Sequence, residues 1–362
     1  MKIGVDAGAL SVSDERLKAG LYYVNRNLII QLSELDNNNY YQLYTFRSLD
    51  KDLLDKLSIN MANQVIYPQI GWYSCRLPLE LFLRPVDIFL GLSQAVPYNS
   101  AQFNIGFIYD LAFLRYPKGY PDSLSKLMSL TNETVTRSQR IITISNSTKK
   151  EILNNFMIDE AKISVSYLGI DDIFTLTTEK INHKYPYFLF VGSLKIIKNI
   201  PRLIEAFDIL LRKVKKRFEL IIIGGDYWMD DEIPKKIRDL KLEDYIKFLG
   251  FINRNDLPKY YRGAIALVTP SFWEGFCLPV VEAMACGCPV IASRNGALPE
   301  VIGNSGIYFD PYNVEELALA MKRLSVNSSL RANMITTGLK RAKIFSWRKF
   351  AQSVYDIIKH KN

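Results

Sequence analysis

A chain of 362 residues with 48% hydrophobic, 23% charged and 12% aromatic residues is globular, which excludes a disordered or fibrous protein. It is too long for one ordinary core and suits two domains of roughly 150 to 200 residues, and two domains imply a cleft. The net charge of +9 is spread in short groups such as "RKVKKR" (212–217) and "LKRAK" (339–343), and no recognised nucleic-acid-binding module accompanies it, so no nucleic-acid partner is expected. Solvated helix faces are one reading of that charge; attraction to anionic lipid or to phosphate-bearing substrates is the other.

In chain order, a short apolar strand "KIGVDAG" (2–8) opens the sequence, followed by a loop to Gly20 and a helix "LYYVNRNLIIQLSEL" (21–35) with helical apolar spacing. A second strand is expected at "YYQLYTF" (40–46), and strand, helix, strand begins a parallel α/β unit. The segment "GWYSCRLPLELFLRP" (71–85) offers Trp72, Tyr73, Phe82, Arg76 and Arg84 as an interfacial surface, although a packed helix has the same pattern. Apolar runs "VDIFLGL" (86–92), "FNIGFIYD" (103–110) and "RIITIS" (140–145) read as strands of a sheet covered on both faces. Near residue 175 the polar "TLTTEKINHKYP" (175–186) reads as a linker. The same grammar then restarts. Strands are expected at "YFLFVG" (187–192), "FELIIIGG" (218–225), "YIKFLG" (245–250) and "IALVTP" (265–270). Helices alternate with them at 200–217, around 231–240 and at 255–264, and an amphipathic helix ends the chain. The fold class is therefore α/β, with two doubly wound Rossmann-like halves whose ligands sit beyond the carboxyl ends of the strands.

No apolar run reaches the roughly 18 residues of a spanning helix. "MKIGVDAGAL" lacks the basic start and long apolar core of a signal peptide, so a cytoplasmic protein is expected, peripheral on the inner face of the membrane if the 71–85 segment is interfacial.

Several catalytic sets are excluded by inspection. The two histidines, His183 and His360, lie in the linker and at the chain end, poor positions for a nucleophilic triad. There is no HExxH, no Walker loop and no GxGxxG, and the D-x-D formed by Asp50 and Asp52 lies in a charged helical stretch. The cysteines Cys277, Cys286 and Cys288 match no zinc spacing and read as small buried thiols. No metal is expected.

Loop-to-helix junctions remain. In "FLFVGSLKIIKNIPRLIEAF" a strand runs into Gly192 and Ser193, the loop carries Lys195 and Lys198, and a helix begins near Asn199 with Pro201 in its first turn. Helix amides beside an ammonium suit a phosphate. In "SFWEGFCLPVVEAMACGCPV" (271–290), Pro279 suits a first helical turn, so the amides of Gly275, Phe276, Cys277 and Leu278 gather at a helix N-terminus. A carboxylate there repels phosphate, so Glu274 and Glu282 more reasonably accept hydrogen bonds from neutral hydroxyls, and two hydroxyl-bearing groups flanking a diphosphate describe a nucleotide-sugar. Helix capping by Glu274 and pairing of Glu282 with a neighbouring base are the structural alternative.

These motifs resemble the family 4 retaining glycosyltransferases of GT-B architecture, particularly bacterial mannosyl- and rhamnosyltransferases of cell-surface polysaccharide assembly. The resemblance covers nearly the whole chain and is densest from "FLFVGSLKIIKNI" to "GNSGIYFDP" (188–311). It implies an N-terminal acceptor-binding domain (1–175), a C-terminal donor domain (176–345) facing it across the cleft, and a final helix (346–362) returning to the N-terminal domain. It further implies Glu274 on the donor sugar, the amides after it on sugar and diphosphate, Glu282 on the ribose, Lys198 on phosphate, and Gly296 and Ala297 along the nucleotide. The partners implied are a nucleoside diphosphate-sugar donor and a glycan or lipid-linked glycan acceptor, with no cofactor. Three positions depart from the pattern. Ile197 replaces an arginine, with Lys195 nearby; "GLY" (Gly20, Leu21, Tyr22) replaces G-x-G; and Tyr109 beside Asp110 replaces a histidine. The last two leave open a catalytically silent nucleotide-sugar-binding subunit. A dinucleotide-dependent oxidoreductase lacks its glycine fingerprint.

Overall fold

The computed structural model describes residues 1–225 and 232–361. It divides into two compact units, Met1–Gly169 with Ser346–Asn362 (unit 1) and Ile170–Phe345 (unit 2).

Unit 1 holds an all-parallel sheet of β1 (Lys2–Asp6), β2 (Tyr40–Thr45), β3 (Met61–Val65), β4 (Ile88–Gly91), β5 (Phe103–Ile108), β6 (Arg140–Thr143) and β7 (Ile163–Val165), in the order β3-β2-β1-β4-β5-β6-β7. The order reverses between β1 and β4, whose registers pair Ile3 with Ile88 and Val5 with Leu90. The helix Gly20–Leu35 buries Val24, Leu28, Ile29 and Leu32, at the three- and four-residue spacing of one helical face. The closing helix Trp347–Lys359 belongs to this unit and packs on Gly20–Leu35. Its entry is tight: a side chain on Gly169 would stand 2.0 Å from the Trp347 nitrogen.

Unit 2 repeats the plan with β8 (Tyr187–Val191), β9 (Glu219–Ile223), β10 (Ile246–Gly250), β11 (Ala266–Thr269), β12 (Val290–Ser293) and β13 (Gly306–Phe309), ordered β10-β9-β8-β11-β12-β13 and again parallel. Its inner strands β9, β8, β11 and β12 are buried on both faces, as their near-continuous apolar composition requires. The helix Ile200–Lys213 seats Leu203, Ile204, Phe207 and Leu210 on the sheet, each burial contributing about 1.5 to 3 kcal/mol. It ends four residues before the expected 217, because Val214 turns extended.

The strands β3, β7, β12 and β13 are absent from the sequence reading. β3 and β7 are edge strands, one polar (MANQV) and one of three residues; β12 and β13 are four residues each. The units divide at Gly169/Ile170, six residues before 175. The reason lies in the polar stretch read as a linker, which is strapped along unit 2. Arg262 donates to the Thr175 and Glu179 carbonyls at 3.0 and 3.1 Å, and Lys259 pairs with the Glu179 carboxylate at 3.0 Å. Expected helix position 231 lies outside the described residues.

Candidate active site

The carboxyl ends of β8, β11 and β12 meet at the switch point of unit 2, where doubly wound sheets bind ligands. Three loops are knitted together there. After β8, Gly192 and Ser193 lead to a single turn Ile196–Lys198 that starts from Lys195, and Asn199 follows in the left-handed region (φ +58°). Asn199 is buried, and its amide donates to the carbonyls of Pro270 (3.0 Å) and Pro311 (2.9 Å), pinning this loop to the ends of β11 and β13. The Phe272 nitrogen donates to the Ile197 carbonyl at 2.9 Å. The Ile197 side chain is buried, so this expected departure from the family pattern turns into the interior.

Lys198 and Glu274 are thereby brought together. The Lys198 Nζ donates to Glu274 Oε1 at 2.6 Å, and Ser271 Oγ donates to the same oxygen at 2.6 Å. The ion pair is mostly shielded, with side-chain exposures of 21% and 11%. Immediately beyond it, Gly275 and Phe276 are buried and Cys277 adopts φ +75° before the helix Leu278–Ala285, whose N-cap makes no side-chain hydrogen bond. The first-turn amides of such a helix have no intrahelical partner and carry the positive end of its dipole. Burial pushes the Cys277 thiol up, with the Glu274 carboxylate adding to the effect, so the thiol stays protonated and is no nucleophile at neutral pH.

Gly296 serves this loop from behind. At φ +62°, a Cβ placed on it would lie 2.4 Å from the Glu274 carbonyl oxygen and 2.8 Å from the Glu274 nitrogen, while the Ala297 nitrogen donates to that carbonyl at 2.9 Å. The contact of Gly296 is with the Glu274 backbone, a support that spacing alone does not reveal. Ser293 Oγ, bonded to the Ser271 carbonyl at 2.5 Å, and the Asn295 amide, bonded to the Phe272 carbonyl at 3.2 Å, complete the clamp.

Glu282 is placed differently. Its side chain is buried; Oε2 accepts from the Tyr261 hydroxyl at 2.9 Å, and Oε1 meets Arg254 Nη2 at 2.9 Å. Arg254 also holds Asp171 Oδ2 at 2.9 Å and lies 4.7 Å from the Phe174 ring centre. The structural alternative for Glu282, pairing with a neighbouring base, is thus realised in the protein, and Arg254 went unnoticed because the pairing spans 28 positions of sequence. Burial raises the Glu282 carboxyl above its ordinary range, against the pull of Arg254. Removing one partner of a buried pair costs about 3 kcal/mol, so Arg254→Ala should lower the urea midpoint of unit 2 by that equivalent. A carboxyl whose pKa is raised on folding stabilises when protonated, so this deficit should be largest at neutral pH and shrink as pH falls toward the ordinary 4.5.

The remaining expected residues belong to unit 1. Gly20 is the exposed first residue of its helix, and the buried Tyr22 ring lies under the Lys18 ammonium at 4.7 Å. Tyr109 and Asp110 follow β5. The Tyr109 hydroxyl donates to the Leu92 carbonyl at 2.8 Å, and Asp110 Oδ1 accepts from the Ala112 nitrogen at 3.0 Å. Burial, then the Asp6 charge, push the Tyr109 phenol far up, so it is neutral. Gln94 ties the two together, accepting from the Tyr109 nitrogen at 3.3 Å and donating to the Asp110 carbonyl at 3.4 Å. Among the described residues, no three His, Cys, Asp or Glu side chains gather in a metal-holding group, and no helix is long and apolar enough to cross a membrane.

A family model described as "Glycosyl transferases group 1" matches residues 175–341. That match spans just under half of the chain. The group 1 match includes Lys198, Glu274, Glu282 and Gly296. O-antigen chain mannosyltransferase B of Escherichia coli is 30% identical over 249 residues, covering 66% of this chain and 65% of its own length, so just under two thirds of that relative is spanned. The GT-B fold is shared across the chain: sucrose-phosphate synthase from Thermosynechococcus elongatus superposes with a TM-score of 0.79 at 17% identity, over 99% of this chain and 98% of its own. Anabaena Alr3699/HepE, solved in complex with UDP-glucose, gives a TM-score of 0.77 at 18% identity, over 99% of both chains.

Proposed function

We propose that this protein is a metal-independent retaining glycosyltransferase that moves a hexose from a nucleoside diphosphate-sugar to a hydroxyl of a glycan or lipid-linked glycan in cell-surface polysaccharide synthesis. The observation that carries the reading is the Lys198–Glu274 pair at the N-terminus of Leu278–Ala285. The ammonium stands against the carboxylate, so a diphosphate approaching the helix amides meets a neutralised acid. On binding, the pair would exchange partners: Lys198 to a phosphate oxygen, Glu274 to sugar hydroxyls.

In the reaction the bond from anomeric carbon to phosphate oxygen breaks, and its electron pair leaves on the diphosphate. The acceptor oxygen bonds to the same face of the sugar, and its proton passes to the departing phosphate oxygen. Lys198 and the helix amides stabilise the charge that grows on that oxygen, the role in which fixed dipoles contribute most. Glu282 would contact the ribose through lone pairs not used by Tyr261 and Arg254. Peripheral membrane contact is proposed at the helix Leu77–Leu83, where Phe82 and Leu83 are exposed beside Arg76 and Arg84, while Trp72 and Tyr73 turn inward onto Asp6.

A catalytically silent nucleotide-sugar-binding subunit is the second reading, favoured by the commitment of the Tyr109 hydroxyl to Leu92. Nucleoside diphosphate release from UDP-, GDP- and dTDP-sugars, with glycan or lipid-linked acceptor, with and without chelator and anionic vesicles, separates the two. Acceptor-dependent release that survives chelation and rises with vesicles is expected. Binding of donors without release in any arm would favour the silent subunit.

A further inference from the structure

A cavity of about 1280 Å³ lies within unit 1, and its walls have a chemistry that specifies a ligand. It opens off the carboxyl ends of β1, β2 and β4, at the switch point of this second doubly wound sheet, where Gly8, Phe46 and Ser93 line it. One wall is a face of the helix Leu124–Arg137, with Ser125, Ser129, Glu133 and Arg137 repeating every four residues. These side chains form a ladder. Ser129 Oγ donates to Glu133 Oε1 at 3.1 Å, and Arg137 Nη1 donates to Glu133 Oε2 at 3.0 Å and to the Val96 carbonyl at 2.9 Å. The Arg137 guanidinium in turn stands 5.7 Å from the ring centre of Tyr98, which is 65% exposed and lines the cavity. Tyr98 is thus a braced aromatic plate facing open space.

The opposite wall is equally fixed. Trp72 and Tyr73 line the cavity, and their polar ends are held by Asp6, which is 0% exposed: Trp72 Nε1 donates at 3.3 Å and the Tyr73 hydroxyl at 2.8 Å. One buried carboxylate thus fixes the hydrogen-bonding edges of both rings in this wall, and Trp72 itself is only 6% exposed.

The charges balance. The ionisable side chains in the lining are Asp122 and Glu133 against Lys126 and Arg137, and Glu133 is already neutralised by Arg137. Such a lining does not select an anion. What it offers is the exposed Tyr98 ring for an apolar C–H surface, with serine hydroxyls and carboxylate lone pairs for hydroxyl groups. At about 1280 Å³ it exceeds the range typical of a drug-sized ligand, enough for several sugar rings.

We propose that this cavity takes a neutral oligosaccharide in preference to a phosphorylated or carboxylated sugar, with Tyr98 as its stacking plate and Glu133 accepting hydrogen bonds from sugar hydroxyls. That such a glycan is the acceptor rests on the transferase reading; its binding does not. Titration calorimetry on the full chain tests it, with maltotriose and an α-linked mannotriose as neutral probes, mannose 6-phosphate as the anionic probe, and UDP and GDP as independent probes of unit 2. At least one trisaccharide should bind, more tightly than mannose 6-phosphate. Tyr98→Ala should weaken that binding about tenfold and Tyr98→Phe less than twofold, with nucleotide affinity unchanged in both. Tighter binding of the phosphorylated sugar, equal binding by Tyr98→Ala, or nucleotide binding without any trisaccharide binding would overturn the assignment. Trisaccharide binding without nucleotide binding would instead remove the transferase reading and leave the neutral-glycan site standing.

Discussion

Glu274→Ala is expected to lower kcat/KM for glycosyl transfer by about 10² to 10³-fold, the scale for losing one charge-stabilising group from a reacting centre. Its signature is a divergence between two ligands. Lys198 Nζ and Ser271 Oγ both donate to Glu274 Oε1, so removing the carboxylate frees the ammonium for phosphate. Affinity for the bare nucleoside diphosphate should therefore hold or rise. The nucleotide-sugar should lose its advantage over the bare nucleotide, since a charge-assisted hydrogen bond contributes about 1.5 to 3 kcal/mol. Calorimetric titration of both ligands against wild type and variant measures the difference. Equal weakening of the two would mean that Glu274 does not touch the sugar.

Gly296→Ala is expected to reduce kcat/KM by about 10²-fold with no change to any side chain that meets the ligand, the usual cost of a displacement near 1 Å at a reacting centre. The added Cβ would sit 2.4 Å from the Glu274 carbonyl oxygen, and backbone cannot swing aside as a flexible side chain can. The left-handed conformation at φ +62° adds about 1 to 2 kcal/mol of strain. Gly250→Ala separates the two effects. Its φ is +63°, but an added Cβ would meet nothing within 4 Å, so it should lose stability and keep the catalytic efficiency of the folded fraction. Equal kcat/KM losses for both glycines would assign the effect to strain alone and remove the support role of Gly296.

What could be read from sequence divides along contact distance. The parallel α/β plan was legible because apolar strands and amphipathic helices alternate, and such periods are local. Lys198 and Glu274 were legible for a related reason: each lies beside a loop-to-helix junction marked by proline in the first turn. Their direct bond was not, since it joins residues 76 positions apart through the folding of two strand ends. Gly296 was picked out as lining the nucleotide region; its close approach to the Glu274 backbone is a relation that only packing supplies. Glu282 carried the same limit: its spacing from Glu274 is plain, while Arg254 and Tyr261 reach it from another loop and helix. The aromatic residues of the 71–85 segment shared one expected surface. The burial of Asp6 divided them, drawing Trp72 and Tyr73 inward and leaving Phe82 outside. A buried carboxylate gathers donors wherever the fold brings them.

The claim on which the account depends is that the diphosphate lies on the amides between the Lys198–Glu274 pair and the helix Leu278–Ala285. Amide hydrogen exchange of the full chain, with and without a saturating nucleoside diphosphate-sugar, reads those amides directly. Slowed exchange across residues 192–199 and 274–278 is the predicted result. Protection elsewhere, with these two segments unchanged, would contradict it.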